Sequence, residues 1–279
     1  MPYKYAGWSN DTMSIKIETV KTDTFEMDYF RCGKGDRNLV IIPGLSIKSV
    51  MESADQISAI YASIIDDFTV YVIDRRRDLP SEYMVSEMAA DTAEAIIKLG
   101  LKDIYLFGAS QGGMIALEIA IDHPELVKKI AVGSTSANLK SQESEAIDEW
   151  IKLAKEKKAK ELYLAFGERL YPPEVFEQFK DVLISTAETV TDDELERFII
   201  SAEGMRDFDI TDKLQKIQCP ALVTGSFEDE VLDSDMTMEI AEKLDVREDF
   251  ELYMYNGFGH AAFDTAPDYL KRLYSFFMK

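Results

Sequence analysis

The sequence predicts an α/β fold in which helices cover both faces of a mostly parallel central sheet. Short apolar segments alternate with longer segments of helical periodicity over residues 38–133, and the same alternation resumes from residue 219. Between these parts, residues 139–208 contain helical patterns and no convincing strand. The sequence therefore predicts a core formed by residues 1–138 and 209–279, interrupted by a helical insertion over residues 139–208.

The predicted elements follow in order along the chain. Strands at residues 13–20 and 25–31 alternate only partly between apolar and polar residues, which favours an antiparallel hairpin at the edge of the sheet. Residues 39–42 and 68–74 are apolar without alternation, as in strands covered on both faces. Further strands are expected at residues 102–107, 128–133, 219–225 and 250–255, and helices at residues 50–65, 82–99, 111–122, 141–160, 173–188, 191–204, 235–244 and 266–278.

Composition restricts the possible partners. Apolar residues make up 46% of the chain and charged residues 30%, which is typical of a soluble globular protein. The formal net charge of −21 repels phosphate backbones and anionic membrane surfaces, so we expect neither nucleic-acid nor membrane partners. No apolar run approaches the roughly 20 residues that span a bilayer. Because the first residues contain no basic segment followed by an apolar one, a cytoplasmic protein is expected.

The cysteines and histidines are few and far apart. Cys32 and Cys219 allow one disulfide, but two buried free thiols in a reducing compartment are the preferred interpretation. The two histidines, His123 and His260, are also distant from each other and from the cysteines, so the sequence contains no apparent cluster of metal ligands. We therefore expect no metal and no organic cofactor.

A Gly-x-Ser-x-Gly pattern at residues 108–112 lies between a predicted strand and a predicted helix. On such a turn the serine adopts a strained backbone conformation with its hydroxyl above the sheet, and the glycines prevent side chains from colliding. A structural tight turn would also explain the bare pattern, but the strand and the helix are the context that catalysis requires. Ser110 is the predicted nucleophile.

A serine hydroxyl is a weak nucleophile and needs a base, usually a histidine. His123 follows the helix after the serine, on the side away from Ser110, and is interpreted as a surface residue at a helix terminus. His260 lies in a glycine-flanked loop directly after the last predicted strand. Because the carboxyl ends of parallel strands share one edge of a sheet, His260 is the predicted base.

A carboxylate must orient the base, and two backbone N–H groups must stabilise the oxyanion. The acidic loop after the strand at 219–225 is the expected source of the carboxylate, with Asp229 favoured by its offset from the strand end and Glu228 as the alternative. The N–H groups of Leu45 and Gln111 are the expected oxyanion-hole donors. The same loop also contains Glu230, Asp233 and Asp235.

With these motifs the chain resembles the α/β-hydrolase superfamily over nearly its whole length, in particular its capped serine esterase and hydrolase branch. The resemblance rests on Gly-x-Ser-x-Gly, the Ser–Asp–His order, the helical insertion and a similar passage from cap to strand at residues 209–222. It implies Ser110 as nucleophile, His260 as base and Asp229 as the orienting acid. It also implies that residues 139–208 form a cap.

Two segments depart from the family pattern. Pro43 and Gly44 stand where members commonly have His-Gly, which preserves a backbone donor but removes the histidine side chain. Residues 75–77 are three arginines where members often have a glycine-rich loop. A solvated loop or local salt bridges are the preferred interpretation of these arginines, and binding of a substrate carboxylate is the alternative.

Apolar residues of the insertion and of the serine helix have two possible roles. Met114 is expected in the core. The aromatic residues of the insertion either line an acyl pocket or pack the insertion onto the core, and packing is preferred for any one of them. They are Trp150, Tyr163, Phe166, Tyr171, Phe176, Phe179 and Phe198.

The sequence thus predicts a serine hydrolase, most simply a carboxylesterase that cleaves small or medium apolar esters through an acyl-enzyme. An aminopeptidase, a carbon–carbon bond hydrolase, a cofactor-free perhydrolase and a non-catalytic receptor that retains the three residues are the alternatives. An aminopeptidase would need an acid in the cap to bind the substrate amine, and Glu161 and Glu168 are available. The expected partner is a small molecule, and the oligomeric state stays open.

Overall fold

A computed structural model describes residues 14–139 and 145–279 of the chain. Met13, the first residue of the predicted first strand, and residues 140–144 lie outside the described residues. The strands are β1 (Ile17–Lys21), β2 (Glu26–Gly33), β3 (Arg37–Ile42), β4 (Phe68–Arg76), β5 (Ile104–Ala109), β6 (Val127–Gly133), β7 (Asn138–Leu139), β8 (Phe208–Asp209), β9 (Ala221–Ser226) and β10 (Phe250–Tyr255).

Eight of these strands form one sheet, in the order β1-β2-β4-β3-β5-β6-β9-β10. β2 pairs antiparallel with both β1 and β4, and the other neighbouring pairs are parallel. The prediction of a mostly parallel sheet with an antiparallel hairpin at one edge is confirmed. Since β3, β5, β6, β9 and β10 run in one direction, their carboxyl ends meet at one edge of the sheet.

The helices cover both faces of this sheet. Alternate residues of a strand point to opposite faces, and accordingly Val40 and Ile42 of β3 belong to one hydrophobic cluster while Leu39 and Ile41 belong to the other. The helices are α1 (Ala54–Ile60), α2 (Val85–Lys98), α3 (Gln111–Asp122), α4 (Glu145–Lys155), α5 (Ala159–Leu170), α6 (Pro173–Ala187), α7 (Asp192–Glu203), α8 (Ser234–Leu244), α9 (Ala262–Thr265) and α10 (Tyr269–Met278).

The two clusters define which helices lie on which face. The first cluster packs α2, α3 and α8 against the sheet and continues into α4 and α7. The second packs α10 and the segment around α1 against the opposite face. Within the described residues, no helix is both long and apolar enough to cross a membrane.

Three helix boundaries differ from the predictions. The segment 50–65 forms a short 3₁₀ turn, Val50–Ser53, and α1, and then continues as turns up to β4. The helix predicted at 266–278 begins only at Tyr269, as α10, and the separate short helix α9 ends before it, because Pro267 disfavours helical geometry at Ala266, whose ψ is 122°. Helix α5 lay largely outside the predicted helices.

Helix α5 was missed because Gly167 lies within it, and an isolated glycine weakens a helical pattern. In the structure this glycine permits close packing of α5 on α6. A Cβ at Gly167 would lie 2.6 Å from Leu183 and 3.1 Å from Phe176. The glycine thus serves helix packing rather than helix termination.

Helices α4 to α7 occupy the segment between β7 and β8. These two short strands pair antiparallel, with Asn138 opposite Asp209 and Leu139 opposite Phe208. The pairing brings the beginning and the end of the segment together, so the four helices connect to the rest of the chain at one place. Along the segment, α4 packs on α5 and α7, and α5 packs on α6.

Candidate active site

Ser110 lies at the sharp turn between β5 and α3. Its backbone has φ 54° and ψ −129°, a conformation that costs a non-glycine residue energy and persists only where its surroundings hold it. Its N–H donates to the carbonyl of Gly133 at 2.9 Å, and its own carbonyl accepts from Gly113 and from the Thr135 hydroxyl. Bonds on both sides of the residue therefore hold the strained turn.

The glycines of this turn are required by close backbone contacts. A Cβ at Gly108 would overlap the carbonyl of Gly112, and a Cβ at Gly112 would overlap the carbonyls of Ile42 and Pro43. The first turn of α3 thus packs directly against the end of β3, where only a residue without a side chain fits. This contact brings the Pro43 turn next to Ser110.

His260 and Asp229 are brought together by two adjacent strands. Asp229 follows β9 and His260 follows β10, and the Nδ1 atom of His260 lies 2.9 and 2.8 Å from Oδ1 and Oδ2 of Asp229. Both side chains are buried, with 3% of His260 and 1% of Asp229 exposed. A proton on Nδ1 donates to the carboxylate, and this leaves Nε2 as the proton acceptor.

Asp229 and Glu228, both in the loop after β9, have different hydrogen-bond partners. Oδ1 of Asp229 also accepts the N–H groups of Val231 and Leu232, both at 2.9 Å, which orient the carboxylate toward the ring. Glu228, the alternative from the sequence, instead accepts the N–H of Gly257 at 2.6 Å. Glu228 therefore contacts the backbone of the loop that carries His260, whereas Asp229 contacts the ring. Of the other acids, Asp233 is the N-cap of α8.

Ser110 and His260 share the wall of a cavity of about 260 Å³ at the carboxyl edge of the sheet. The wall is largely apolar and divides between the two faces of the sheet. On the face of the first cluster it is formed by Ile42, Leu45, Ile147, Trp150, Phe166, Leu170, Met205, Val231 and Leu232. On the other face it is formed by Ile41, Val50, Ile57, Tyr61, Val72, Phe107, Ala109 and Phe263.

The predicted oxyanion donors belong to two backbone segments close to Ser110. Gln111 is the first residue of α3, so its N–H points out of the helix at the positive end of the helix dipole. Leu45 follows Gly44, and a Cβ at Gly44 would lie 3.3 Å from the Ser110 Cβ. Leu45 itself lines the cavity. The first turn of α3 and the Pro43 turn, which carry the two predicted donors, thus both lie next to Ser110.

The side chain of Gln111 connects the core to the insertion. It is buried, accepts a hydrogen bond from the Arg75 guanidinium at 3.0 Å and donates one to the carbonyl of Ser201 in α7 at 2.6 Å. Arg75 also donates to the carbonyl of Pro43 at 2.7 Å. One buried arginine therefore contacts both of the segments expected to supply oxyanion donors.

The prediction that the arginines at 75–77 form a solvated loop or local salt bridges is wrong for Arg75. Its residue is 5% exposed, and burial lowers the pKa of its guanidinium to about 10 although the neighbouring Asp74 opposes this change. Arg76 and Arg77 do form salt bridges, Arg76 with Asp91 and Arg77 with acids of β2. Burial of the first arginine depends on a contact across the structure that a local pattern does not contain.

Arg197 of α7 reinforces this connection. Its guanidinium donates to the carbonyls of Arg75, Arg76 and Arg77 at distances between 2.6 and 3.1 Å. A side chain of the insertion thus satisfies the backbone acceptors at the end of β4. Removal of Arg197 would remove these three hydrogen bonds between α7 and the end of β4.

Asp264 is a residue of the cavity wall that the sequence analysis missed. Asp264 retains exposed surface, and the partial loss of water around its carboxyl raises the pKa of that group to about 6. A hydrogen bond with the Tyr171 side chain and the charge of His260 oppose this rise. Its position four residues after His260, in the segment that follows the last strand, was the available indication.

The remaining predicted residues have simple locations. Met114 is fully buried in the core, as predicted. His123 lies at the C-terminal end of α3, half-buried and 3.4 Å from Glu125. Both cysteines are free thiols as predicted, but only Cys219 is buried, and Cys32 is half-buried.

The aromatic residues of the insertion divide between the two roles considered. Trp150 and Phe166 line the cavity, and their ring centroids are 4.5 Å apart. The others are not among the residues that line the cavity; the ring of Phe198 contacts that of Phe166, and the ring of Tyr171 contacts that of Phe179. These others are Tyr163, Tyr171, Phe176, Phe179 and Phe198.

Comparison with known proteins identifies the family. A family model described as the alpha/beta hydrolase fold matches residues 38–267, which is most of the chain. The chain belongs to the α/β-hydrolase family. The predicted superfamily and the predicted fold class are therefore confirmed, and a small-molecule substrate is implied.

Individual relatives of this α/β hydrolase are distant. The Rhizobium rhizogenes protein named as the carbamate hydrolase RutD is 26% identical over 197 residues, which are 65% of this chain and 72% of that protein. The structure of MGS-M2, an alpha/beta hydrolase enzyme from a Medee basin deep-sea metagenome library, superposes with a TM-score of 0.83 at 20% identity, covering 94% of this chain and 98% of that one. The enol-lactonase of Burkholderia xenovorans superposes with a TM-score of 0.79 at 16% identity, covering 94% and 100%.

Proposed function

We propose that this α/β hydrolase is a serine ester hydrolase, most simply a carboxylesterase for small or medium apolar esters. Ser110 is its nucleophile, His260 its general base and Asp229 the acid that orients the base. The observation that carries the proposal is the bond between buried Asp229 and the Nδ1 atom of His260, with His260 and Ser110 on one cavity wall. Family membership supports hydrolysis as the reaction class.

The reaction follows from this arrangement. As the hydroxyl oxygen of Ser110 attacks the ester carbonyl, its proton moves to Nε2 of His260, and Asp229 stabilises the resulting imidazolium. The carbonyl oxygen becomes an oxyanion that accepts the N–H groups of Leu45 and Gln111. The intermediate collapses, the alcohol leaves with the proton from His260, and an acyl-Ser110 ester remains. Water, deprotonated by His260, then attacks the acyl carbon and releases the carboxylic acid and free Ser110.

We further propose that residues 139–208 act as a cap over the site. The paired strands β7 and β8 join both ends of this segment at one place on the core. Trp150, Phe166 and other apolar residues of the segment contribute to the cavity wall. An apolar enclosure favours substrates with apolar acyl or alcohol groups and excludes water from the acyl transfer step.

A carbamate hydrolase is a second candidate, because the protein from Rhizobium rhizogenes carries that name. The same nucleophile, base and oxyanion donors would act on a carbonyl that also bears nitrogen. An aminopeptidase that relies on Glu161 or Glu168 is less well supported, since both are exposed and neither is among the residues that line the cavity. A carbon–carbon bond hydrolase, a perhydrolase or a receptor remains an outcome of the tests.

Location and partners complete the proposal. The net charge of −21 supports a protein that binds neither nucleic acid nor anionic membranes, and we propose a cytoplasmic location. No group of three or more His, Cys, Asp or Glu side chains in the described parts of the chain is placed to hold a metal ion. The proposed mechanism uses side chains and backbone N–H groups alone.

The decisive experiment is labelling with a fluorophosphonate, which reacts with activated serines. We expect wild-type protein to be labelled and Ser110→Ala to be unlabelled. The matched control is Ser185→Ala, which removes an exposed hydroxyl on α6 and should be labelled like wild type. A panel of esters of graded size, run beside carbamates and peptide amides, then defines the substrate class. A wild-type protein that is neither labelled nor active on the panel would favour the receptor.

A further inference from the structure

The cavity wall contains one carboxylate, that of Asp264, among the described residues that form it. Asp264 lies in the short helix α9, four residues after His260, and its charge interacts with that of His260. The same cavity wall contains the apolar Ile57, Val72 and Phe107. The carboxylate therefore belongs to the same, largely apolar, cavity wall as the proposed nucleophile and base.

This carboxylate is only partly satisfied within the protein. The Tyr171 side chain hydrogen-bonds to it, but an ionised carboxylate has about four acceptor positions. Titratable groups near it are His260, Tyr171, Tyr61 and Tyr269, and no lysine or arginine of the described residues acts on it. An ionised Asp264 therefore has no balancing cation among the described residues, and the partial loss of surrounding water makes such an unpaired charge costly.

The charged groups of the cavity wall also disfavour anionic ligands. Among the described residues that form the wall there is no lysine and no arginine to bind a substrate carboxylate. An anionic group near Asp264 would meet repulsion that low-dielectric walls strengthen. A protonated amine instead brings a positive charge and several N–H donors to unused acceptor positions, and charge-assisted bonds of this kind are among the stronger hydrogen bonds.

We propose that Asp264 binds a protonated amine of the substrate and so makes the enzyme selective, among esters whose other groups are apolar, for those that bear an amine. This inference rests on the proposed function, because it places the amine in the same cavity as the reacting carbonyl. It differs from an aminopeptidase whose amine is bound by an acid of the cap, since Asp264 belongs to the core, next to the proposed base.

The test uses binding, so that it does not depend on turnover. The n-hexylammonium ion and 1-hexanol, which share an alkyl chain, are titrated by NMR into Ser110→Ala and into Ser110→Ala with Asp264→Asn. We expect the added substitution to raise the Kd of n-hexylammonium about 10-fold or more, as loss of a charge-assisted bond predicts. The Kd of 1-hexanol should change much less. Adding Glu168→Gln instead removes an exposed acid outside the cavity wall and should leave both Kd values unchanged.

Asp264→Glu keeps the charge and should retain preferential binding of n-hexylammonium, which guards against a variant that merely misfolds. Equal Kd values for n-hexylammonium with and without Asp264→Asn would overturn the proposal. Failure of the proposed function appears separately, as ester turnover that is absent from wild type or unchanged in Ser110→Ala. The two results are distinguishable, because unchanged Kd values refute the amine site and absent turnover refutes the esterase.

Discussion

The Nδ1 atom of His260 lies within 2.9 Å of both carboxylate oxygens of Asp229, and Asp229 is itself held by the N–H groups of Val231 and Leu232. The backbone of its own loop therefore orients the carboxylate independently of its bond to the ring. A buried carboxylate in this position selects the tautomer with the proton on Nδ1 and leaves Nε2 free to accept one.

Asp229→Asn should abolish most of the activity while preserving the fold. The asparagine amide can donate to Nδ1, which favours the tautomer with its proton on Nε2, and that tautomer cannot act as a base. In serine hydrolases with this arrangement such a change lowers kcat by about 10⁴-fold. The measurement is kcat on a p-nitrophenyl ester. Glu228→Gln is the control, because a glutamine oxygen can still accept the N–H of Gly257, and it should remain active. The opposite pattern would assign the acid role to Glu228.

Gly112→Ala tests the contact between the serine turn and the end of β3. A Cβ at this position overlaps the carbonyls of Ile42 and Pro43, so α3 and the Pro43 turn must separate. Both segments are expected to supply oxyanion donors. Because misplacement by about 1 Å can cost about 100-fold in rate, we expect kcat/KM to fall at least that much.

The control for Gly112→Ala is Gly100→Ala, at the end of α2. Gly100 has φ 71°, and a Cβ at this position would meet no atom within 4 Å, so alanine there adds backbone strain without a collision. We expect a loss of about 1 kcal/mol in the free energy of unfolding and unchanged kcat/KM. Equal activity in the two variants would show that the close contact at Gly112 does not position the site.

Arg75→Met tests the buried connection between the two donor segments. The substitution leaves the carbonyl of Pro43 and the side-chain oxygen of Gln111 without the donors that they have now. We expect the free energy of unfolding to fall by about 3 kcal/mol, and kcat to fall because the Pro43 turn loses its anchor. Urea unfolding and ester turnover measure the two effects. Arg31→Met is the matched control, since Arg31 is exposed and pairs with Glu18 at 3.2 Å. It should cost less than about 1 kcal/mol.

Local patterns were sufficient to predict which residues would lie at the carboxyl ends of the strands, where the candidate site is. Ser110 could be predicted from its glycines, and His260 from its loop after β10, because the carboxyl ends of parallel strands converge. Arg75 could not be predicted, since its burial depends on Pro43, Gln111 and, through its carbonyl, Arg197, which are far apart in sequence.

The surroundings of Asp264 also could not be predicted from the sequence. These surroundings depend on where α9 ends before Pro267 and on which residues of the insertion, such as Tyr171, contact Asp264. Neither can be predicted from the composition of residues 260–268. The pairing of His260 with Asp229 rather than Glu228 likewise depends on the N–H groups that orient each carboxylate, not on residue type.

The raised pKa of Asp264 predicts how stability depends on pH. Its carboxyl has a pKa of about 6 in the folded protein, against an ordinary value of 3.8, so between these values the folded state binds more protons than the unfolded state. The free energy of unfolding contributed by this group therefore falls as the pH rises from about 4 to about 6, and stays low above that. His260, Tyr171, Tyr61 and Tyr269 are the titratable groups around it.

Asp264→Asn removes this dependence. The difference in the free energy of unfolding, variant minus wild type, should therefore become more positive between pH 4 and pH 7.5, as measured by urea unfolding at several pH values. Asp181→Asn, an exposed residue of α6, controls for removal of one negative charge from a chain of net charge −21. A difference for Asp264→Asn that stays constant, or follows that of Asp181→Asn, would contradict a carboxylate held at a cost in the cavity wall. A difference that rises with pH would instead identify the same unbalanced charge that the proposed amine neutralises on binding.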